Sequence, residues 1–318
     1  MPPLGQPRPE SLTTLSSNTV LITGADGMLG RAFTESLAAL PGCRVIALGR
    51  DRLDVTDREA VMAFASANPE WIVHCAADVN ADRCEENPDA CHAVQVGGTE
   101  NVVALALSCG ARVLFPQSFL IFDGSEKPIV EDTRPNPLSV YGRCKLEAET
   151  RVLEALGDSA LVIRMAGFFG GDEKDKNFVG KFTRHARRLL DQEVDTYDVG
   201  NRIWQPTYTF DLAHNSILLM AASKSGVYNM ACHGQASFFE LAVACVEELQ
   251  LTDRLRIQPT SADRVTAVTD TAKRPAAAVI DNRRLRAEGL DLQRPWRDAL
   301  EEYLSRPWFK AMFADLAA

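Results

Sequence analysis

Short apolar runs alternate with helical patterns through the first half of this chain, and that alternation narrows the fold more than any other feature. TVLITG at 19–24 is β-branched, apolar on both faces and closed by glycine, which suits a buried parallel strand. Residues 28–40 then place apolar side chains at helical spacing. The pattern repeats with CRVIALG (43–49) as a strand, TDREAVMAFASA (56–67) as a helix capped by Thr56, and EWIVHCAA (70–77) as a strand. A long helix around 90–110 leads into the strand ARVLFPQS (111–118), and a helix over 138–157 leads into the strand SALVIRM (159–165). Five apolar strands separated by helices mean an α/β fold with a doubly wound parallel sheet, since parallel neighbours must be joined by crossovers. Such sheets hold ligands beyond the carboxyl ends of their strands, so function is sought in the residues just after each strand.

Beyond residue 170 the alternation fades into the polar loop GGDEKDKN, a basic helix and an aromatic loop, which reads as a smaller C-terminal domain closing over the sheet. The expected organisation is a disordered tail over 1–17, rich in Pro, Ser and Thr; a cofactor-binding domain over 18–168 with 206–231; and a substrate-binding domain over 169–205 with 232–318. The longest apolar runs, such as 102–107 and 217–222, fall far short of the roughly 18 residues that a membrane span needs. With 34 basic against 43 acidic side chains, the net charge of −9 argues against a general nucleic-acid binder, which must displace counterions from many phosphates. The eight cysteines contain no CxxC pair, and the first residues contain no apolar leader core. Free thiols and a cytoplasmic protein are therefore expected. No metal site is expected, because Cys84, Cys91 and His92 have no second paired motif to complete a ligand set.

Directly after the first strand stands GADGMLG, with Gly24, Gly27 and Gly30 spaced GxxGxxG. Glycine there lets the chain turn tightly and approach a pyrophosphate, while the amides of Met28, Leu29 and Gly30 at the start of the next helix face that anion. Between an apolar strand and an amphipathic helix, this pattern points to a dinucleotide. The second strand ends in Gly49 and Arg50. An acid at that place would hold a ribose 2′-hydroxyl, whereas arginine suits a 2′-phosphate, so the reading favours NADP(H) over NAD(H), with Asp51 pulling the other way. Asp54 and Val55 fall where side chains meet the adenine, and Cys75, Ala76 and Ala77 end the third strand beside the cofactor.

Tyr141 and Lys145 stand four residues apart in a predicted helix and share a face. The strand before that helix ends in Ser118, which brings a hydroxyl near the tyrosine. Reducing a ketone by hydride transfer needs a proton donor for the developing alkoxide, and a lysine cation beside the tyrosine is expected to lower its pKa. The serine hydroxyl can hydrogen-bond the substrate oxygen. Tyr141 and Lys145 are expected to touch the cofactor as well.

With these motifs in place, the chain resembles an extended short-chain dehydrogenase/reductase, most closely the dTDP-4-dehydrorhamnose reductase family. GADGMLG, LDVTD (53–57), HCAADVNADRCEENP (74–88), the loop from Asp123 through YGRCK, IRMAGFFG (163–170), NFVGKF (177–182) and WQPTYTFDLA (204–213) carry the likeness in order. The resemblance implies a Rossmann domain, NAD(P)H, and reduction of a keto nucleotide sugar, a dTDP-4-keto-6-deoxyhexose. It also implies that Ser118, Tyr141 and Lys145 take the family's hydroxyl, tyrosine and lysine roles. A homodimer is compatible with this reading.

The substrate side departs from the family. Phe119 and Leu120 follow Ser118 where Asp-Tyr is usual, Gly167 replaces a tryptophan that helps hold the sugar, and Gln95 stands where many relatives have asparagine. Substrate contacts are expected from Phe119, Gly167, Asn177, Lys181, Arg184, Arg202, Trp204, Gln205 and Thr207. Lys181, Arg184 and Arg188 share a helical face that either meets a diphosphate or is simply solvated. Trp204 either covers the sugar or base or packs between domains. His74 receives no role. Two further readings stay open: an epimerase or dehydratase that returns hydride from bound cofactor, and a non-catalytic NADP-binding subunit like the regulatory subunit of methionine adenosyltransferase.

Overall fold

The computed structural model describes residues 9–261, 271–275 and 277–316. The first crossover runs from β1 (Thr19–Thr23) through α1 (Met28–Ala38) to β2 (Arg44–Leu48). Then come α2 (Arg58–Met62), β3 (Trp71–His74), α3 (Ala81–Glu86), α4 (Pro88–His92) and α5 (Gly98–Cys109). β4 (Arg112–Ser118), α6 (Val140–Leu156) and β5 (Ala160–Met165) complete the stretch read from periodicity. Next are β6 (Phe168–Phe169), α7 (Phe178–Asp191), β7 (Thr196–Gly200), β8 (Ile203–Trp204), β9 (Thr207–Tyr208) and α8 (Thr209–Ala221). The described chain ends with β10 (Gly226–Met230), β11 (Ala236–Ser237), α9 (Phe238–Glu248), β12 (Arg256–Thr260), α10 (Arg283–Ala287), α11 (Trp296–Leu304) and α12 (Pro307–Met312).

The main sheet is parallel, in the order β10-β5-β4-β3-β1-β2. The chain reverses direction across the sheet between β1 and β3, which opens a crevice at their carboxyl ends. β10 is a sixth strand beyond the five read from periodicity. Its GVYNM sequence interrupts the apolar run with Asn229, whose amide donates to the Ile129 carbonyl at 3.0 Å. One face of the sheet is covered by α1 and α8, with Phe33, Leu37, Leu212 and Ile217 against Val20 and Ile22. The other face is covered by α5 and α6, with Val102, Leu105, Ala148 and Val152 against Leu21, Ile72 and Val113. A separate apolar cluster lies between α7, α9 and α11, around Phe182, Leu241, Leu300 and Tyr303.

Three expectations about local structure need correction. Residues 1–8 of the expected tail lie outside the described residues, but Pro9–Leu15 is a 3-10 helix that packs on the domain. Leu12 and Leu15 are buried in the α1/α8 core, and Thr14 Oγ1 donates to the Ala221 carbonyl at 2.8 Å. Two leucines at i,i+3 eclipse on a 3-10 helix and form one apolar edge, a signal masked by the Pro/Ser/Thr composition around it. The second helix is capped by Asp57, which accepts from Ala60 N at 3.0 Å, and not by Thr56, whose hydroxyl donates to Asp54 at 2.7 Å. The helix expected around 90–110 is α4 and α5 joined by a π-turn over Ala93–Gly97.

Candidate active site

The glycine loop is built for close approach. Gly24 has φ +63° and a Cβ there would lie 2.6 Å from the Ala76 nitrogen, so both its backbone and its lack of a side chain are required. Gly27 caps α1 without a side-chain acceptor, which leaves the helix's first amides unclaimed by the chain. Leu29 turns its side chain into the core, so only its backbone faces the loop. Met28 is half-buried beneath the 170–176 segment: Lys176 N donates to its sulfur at 3.5 Å, and Glu173 pairs with Arg31 at 3.0 Å.

At the end of β2, Arg50 is exposed, while Arg52 turns back to donate to the Ala47 carbonyl at 3.0 Å. The Asp26 carboxylate lies where a side chain at Gly49 would sit, an acid that sequence reading passed over inside the glycine motif. Asp54 is held in its charged form chiefly by the amide and hydroxyl of Thr56. Val55 is buried against Gly98, and Cys75, Ala76 and Ala77 are half-buried at the end of β3. Burial pushes the Cys75 thiol up to about 12.

Ser118, Tyr141 and Lys145 come together. Tyr141 and Lys145 lie on the buried stripe of α6, 7% and 5% exposed, and Tyr141 hydrogen-bonds Ser118 at the end of β4. The expected lysine effect on the tyrosine does not appear. Lys145 Nζ donates to the Pro116 carbonyl at 2.8 Å and lies 4.0 Å from the Phe115 ring centroid. Burial pushes Tyr141 above its ordinary value, with the Ser118 hydrogen bond opposing, and pushes Lys145 down to about 8. For Lys145 desolvation outweighs the nearby charge of Glu149, whereas for Tyr141 the nearby charges act in the same direction as burial.

Beneath this set lies a network that sequence reading missed. Gln117 Nε2 donates to the Lys145 carbonyl at 2.9 Å and to Glu149 at 2.8 Å. Glu149 in turn pairs with Arg164, which also donates to the Glu131 carbonyl at 3.0 Å. The signal was present: Arg164 interrupts an apolar strand, and Glu149 continues the Tyr141–Lys145 stripe by one more turn.

His74 also has a place. Thr99 spends its proton on the Gln95 carbonyl at 2.5 Å, so it accepts from His74 Nε2 at 3.2 Å. His74 Nδ1 must then accept from Thr23 at 2.8 Å, and Thr23 accepts from Ala76 N at 3.2 Å. Burial holds the ring neutral, its pKa down to about 3. Gln95 closes the chain by donating to the Asp78 carbonyl at 2.7 Å, so the loop after β3 is tied at both ends.

The expected substrate residues divide. Gln205 is buried with every polar atom engaged, accepting from Ile280 N at 2.8 Å and donating to the Ile280 and Cys232 carbonyls at 3.0 and 3.3 Å. Thr207 is buried too, accepting from Cys232 N at 3.1 Å. Both therefore pin the chain and do not face a ligand. Arg184 donates to the Asp175 carbonyl at 2.5 Å, and the Asn177 amide donates to the Phe168 carbonyl at 2.6 Å, so both are used in holding the 170–177 segment. Lys181 and Arg188 are exposed and Arg202 is half-buried. Phe119 leans on the cluster around Ala166 and Ala231. Trp204 and Gly167 meet directly: a Cβ on Gly167 would lie 1.8 Å from the indole Nε1. Gly167 stands two residues beyond Met165, the strand partner of Ser118, so the indole covers the sheet's carboxyl edge beside the serine.

Comparison with known proteins places the chain in a family. A chain from Streptomyces griseus named dTDP-4-dehydrorhamnose reductase is 36% identical over 89% of this chain and 91% of its own length. Methionine adenosyltransferase 2 subunit beta from Mus musculus is 30% identical over 93% of this chain and 90% of its own length. A solved dTDP-4-dehydrorhamnose reductase from Bacillus anthracis, in complex with NADP, superposes with TM-score 0.80 at 26% identity, covering 90% of this chain and 98% of that one. The family model described as RmlD substrate binding domain matches residues 18–307. With that match spanning the sheet, the glycine loop and the Ser118–Tyr141–Lys145 set, the chain belongs to the RmlD substrate-binding domain family.

Proposed function

We propose that this protein is an NADP(H)-dependent reductase of a keto nucleotide sugar, a dTDP-4-keto-6-deoxyhexose. The observation that carries the reading is the convergence of Ser118, Tyr141 and Lys145 at the carboxyl edge of the sheet, beside a glycine loop that a Cβ would fill. The cradle suits a dinucleotide: Gly24, Gly27 and the amides of Met28, Leu29 and Gly30 would take its diphosphate, and Arg50 its 2′-phosphate. Asp54, Val55, Cys75, Ala76 and Ala77 would line the adenosine and ring positions. When bound, the cofactor supplies the hydride. Tyr141, kept protonated by burial, donates the proton to the sugar oxygen; Ser118 orients that oxygen; and Lys145, anchored on the Pro116 carbonyl, lies one helical turn on.

We place the cofactor-binding unit at 18–168 with 206–231 and the substrate-binding unit at 169–205 with 232–318; most members of the apolar clusters follow this division, with Leu285 joining the first core and Tyr208 the second. The eight cysteines are all free thiols, which supports a cytoplasmic setting. No helix among the described residues is long and apolar enough to cross a membrane.

The test is a panel of dTDP-, UDP- and GDP-linked 4-keto-6-deoxyhexoses followed by NADPH oxidation. Stoichiometric NADPH consumption with the dTDP sugar is expected. A non-catalytic binding subunit is the second reading, favoured by the 30% identity to methionine adenosyltransferase 2 subunit beta and by Phe119 and Leu120 beside the serine. Tight NADP binding with no turnover on any sugar would establish that reading instead. An isotope exchanged into the sugar without net NADPH consumption would mark an epimerase.

Arg50→Ala is expected to weaken NADP binding about 10-fold or more, the scale of a charge-assisted contact, and to leave NAD nearly unchanged. Equal losses for both cofactors would remove the 2′-phosphate role. Asp26 and Asp51 beside the same strand end make this comparison the deciding one.

We further propose that Trp204 supplies the aromatic wall of the sugar site, the place Gly167 vacates. Gly167→Ala must displace the indole, since its Cβ would lie 1.8 Å from the indole Nε1. Its KM for the keto sugar is expected to rise about 10-fold, the scale of losing one buried aromatic contact, with NADPH affinity retained. Parallel losses in both would place Trp204 in domain packing.

A further inference from the structure

Three thiols lie beside the candidate tyrosine and take no part in the chemistry above. Cys84 on α3, Cys91 on α4 and Cys144 on α6 belong to one buried cluster with Ala81, Val96 and Tyr141. Each comes from a different helix, and Cys91 hydrogen-bonds both of the others. Cys144 is the most exposed of the three at 7%, against 1% for Cys84 and Cys91. It stands between Tyr141 and Lys145 on the same buried stripe of α6.

The three sulfurs are chemically unequal. The hydrogen bond from Cys91 is the main influence on Cys144; His92 and Arg143 add positive charge, burial and Glu147 oppose, and the outcome is a thiol pushed down to about 7. Cys91 is pushed the other way by the same contact and by burial. By contrast, desolvation holds Cys75, Cys232 and Cys245 firmly as thiols. A thiolate-prone sulfur touching a protonated one is the arrangement of an attacking and a resolving cysteine.

We propose that Cys91 and Cys144 form a reversible disulfide that regulates this site, with Cys84 positioned to exchange into it. With hydrogen peroxide as oxidant, the Cys144 thiolate attacks one peroxide oxygen, the O–O bond breaks and the departing hydroxide takes a proton to leave as water. The sulfur, now oxidised by two electrons to a sulfenic acid, is attacked by Cys91. The S–S bond forms, the S–O bond breaks and a second water leaves, so two thiols and one peroxide give one disulfide and two waters. Closing the bond draws α4 toward α6, which carries Tyr141 and Lys145 on either side of Cys144. Misplacing reacting groups by about 1 Å costs on the order of 100-fold in rate, so even part of that shift reads out strongly. Cys91 also precedes the π-turn from which Gln95 holds the Asp78 carbonyl, so the loop after β3 moves with it.

The effect on turnover rests on the reductase reading, whereas the disulfide itself does not. The full chain is treated with hydrogen peroxide, digested without reductant and mapped by mass spectrometry, with turnover and NADPH affinity measured before and after. A linked Cys91–Cys144 peptide is expected, with turnover lowered at least about 10-fold and restored by dithiothreitol. Cys144→Ser is expected to keep basal turnover and resist peroxide, and Cys91→Ala serves as a second resistant variant should Cys144→Ser fail to fold. If no sugar is turned over at all, the linked peptide and a reversible change in NADPH affinity still support the switch while the reductase reading fails. A folded protein that forms no Cys91–Cys144 link, or forms it with turnover and NADPH affinity unchanged, overturns the proposal.

Discussion

Tyr141→Phe is expected to lower turnover of the keto sugar at least about 100-fold while NADPH binding stays near normal, the loss typical of removing a general acid. The substitution deletes one hydroxyl and keeps the ring, so α6 and its packing with Cys144 and Leu120 are preserved. What is lost is the proton that burial keeps on the phenol and the hydrogen bond to Ser118. The reducing direction calls for a protonated donor, and a tyrosine whose pKa lies above its ordinary value supplies one throughout the neutral range. Rapid-mixing measurement of NADPH oxidation, paired with a fluorescence titration of NADPH, separates the chemical step from cofactor affinity. A variant with wild-type turnover would remove Tyr141 from the chemistry and leave Ser118 and Lys145 without a proton donor between them.

Arg164→Met is expected to cost about 3–5 kcal/mol of stability, because it strands the Glu149 carboxylate in the core. The pair is deeply buried, with side-chain exposures of 8% for Arg164 and 3% for Glu149. Removing the cation leaves the buried carboxylate with Gln117 as its hydrogen-bond donor and Lys145 as the nearby positive charge. The double variant Arg164→Met/Glu149→Leu is expected to recover most of the loss, since well-packed apolar residues can replace a buried pair at little net cost. Urea unfolding of the three proteins checks both parts. A single variant as stable as the wild type would show that the ion pair is not what secures this part of the core. The same variants probe the site, because Gln117 links Glu149 to the backbone of Lys145.

The fold was legible wherever a segment's own periodicity reported its layer. β1 to β5 and the helices between them carry the strand and helix patterns that a buried parallel sheet demands, and they stand where those patterns placed them. β10 was harder to read, because Tyr228 and Asn229 break the apolar run and only pairing with β5 makes it a strand. The 3-10 helix at Pro9–Leu15 was obscured by composition, and two leucines were too few to outweigh it.

The sequence by itself determined the position of a glycine loop between strand and helix, a serine at a strand end, and a tyrosine and lysine on one face of the helix that follows. It could do so because each of those relations spans one turn, one helix face or one strand end. Only the tertiary structure decided which polar residues have atoms to spare for a ligand. Gln205 and Thr207 look like ligand contacts until Ile280 and Cys232 arrive from distant segments and occupy them. Trp204 reaches Gly167 across 37 residues of chain, and Arg164 meets Glu149 from another element. The physical reason is that hydrogen bonds and charge pairs are satisfied by whatever the fold brings within about 3 Å, and separation in sequence does not encode that distance.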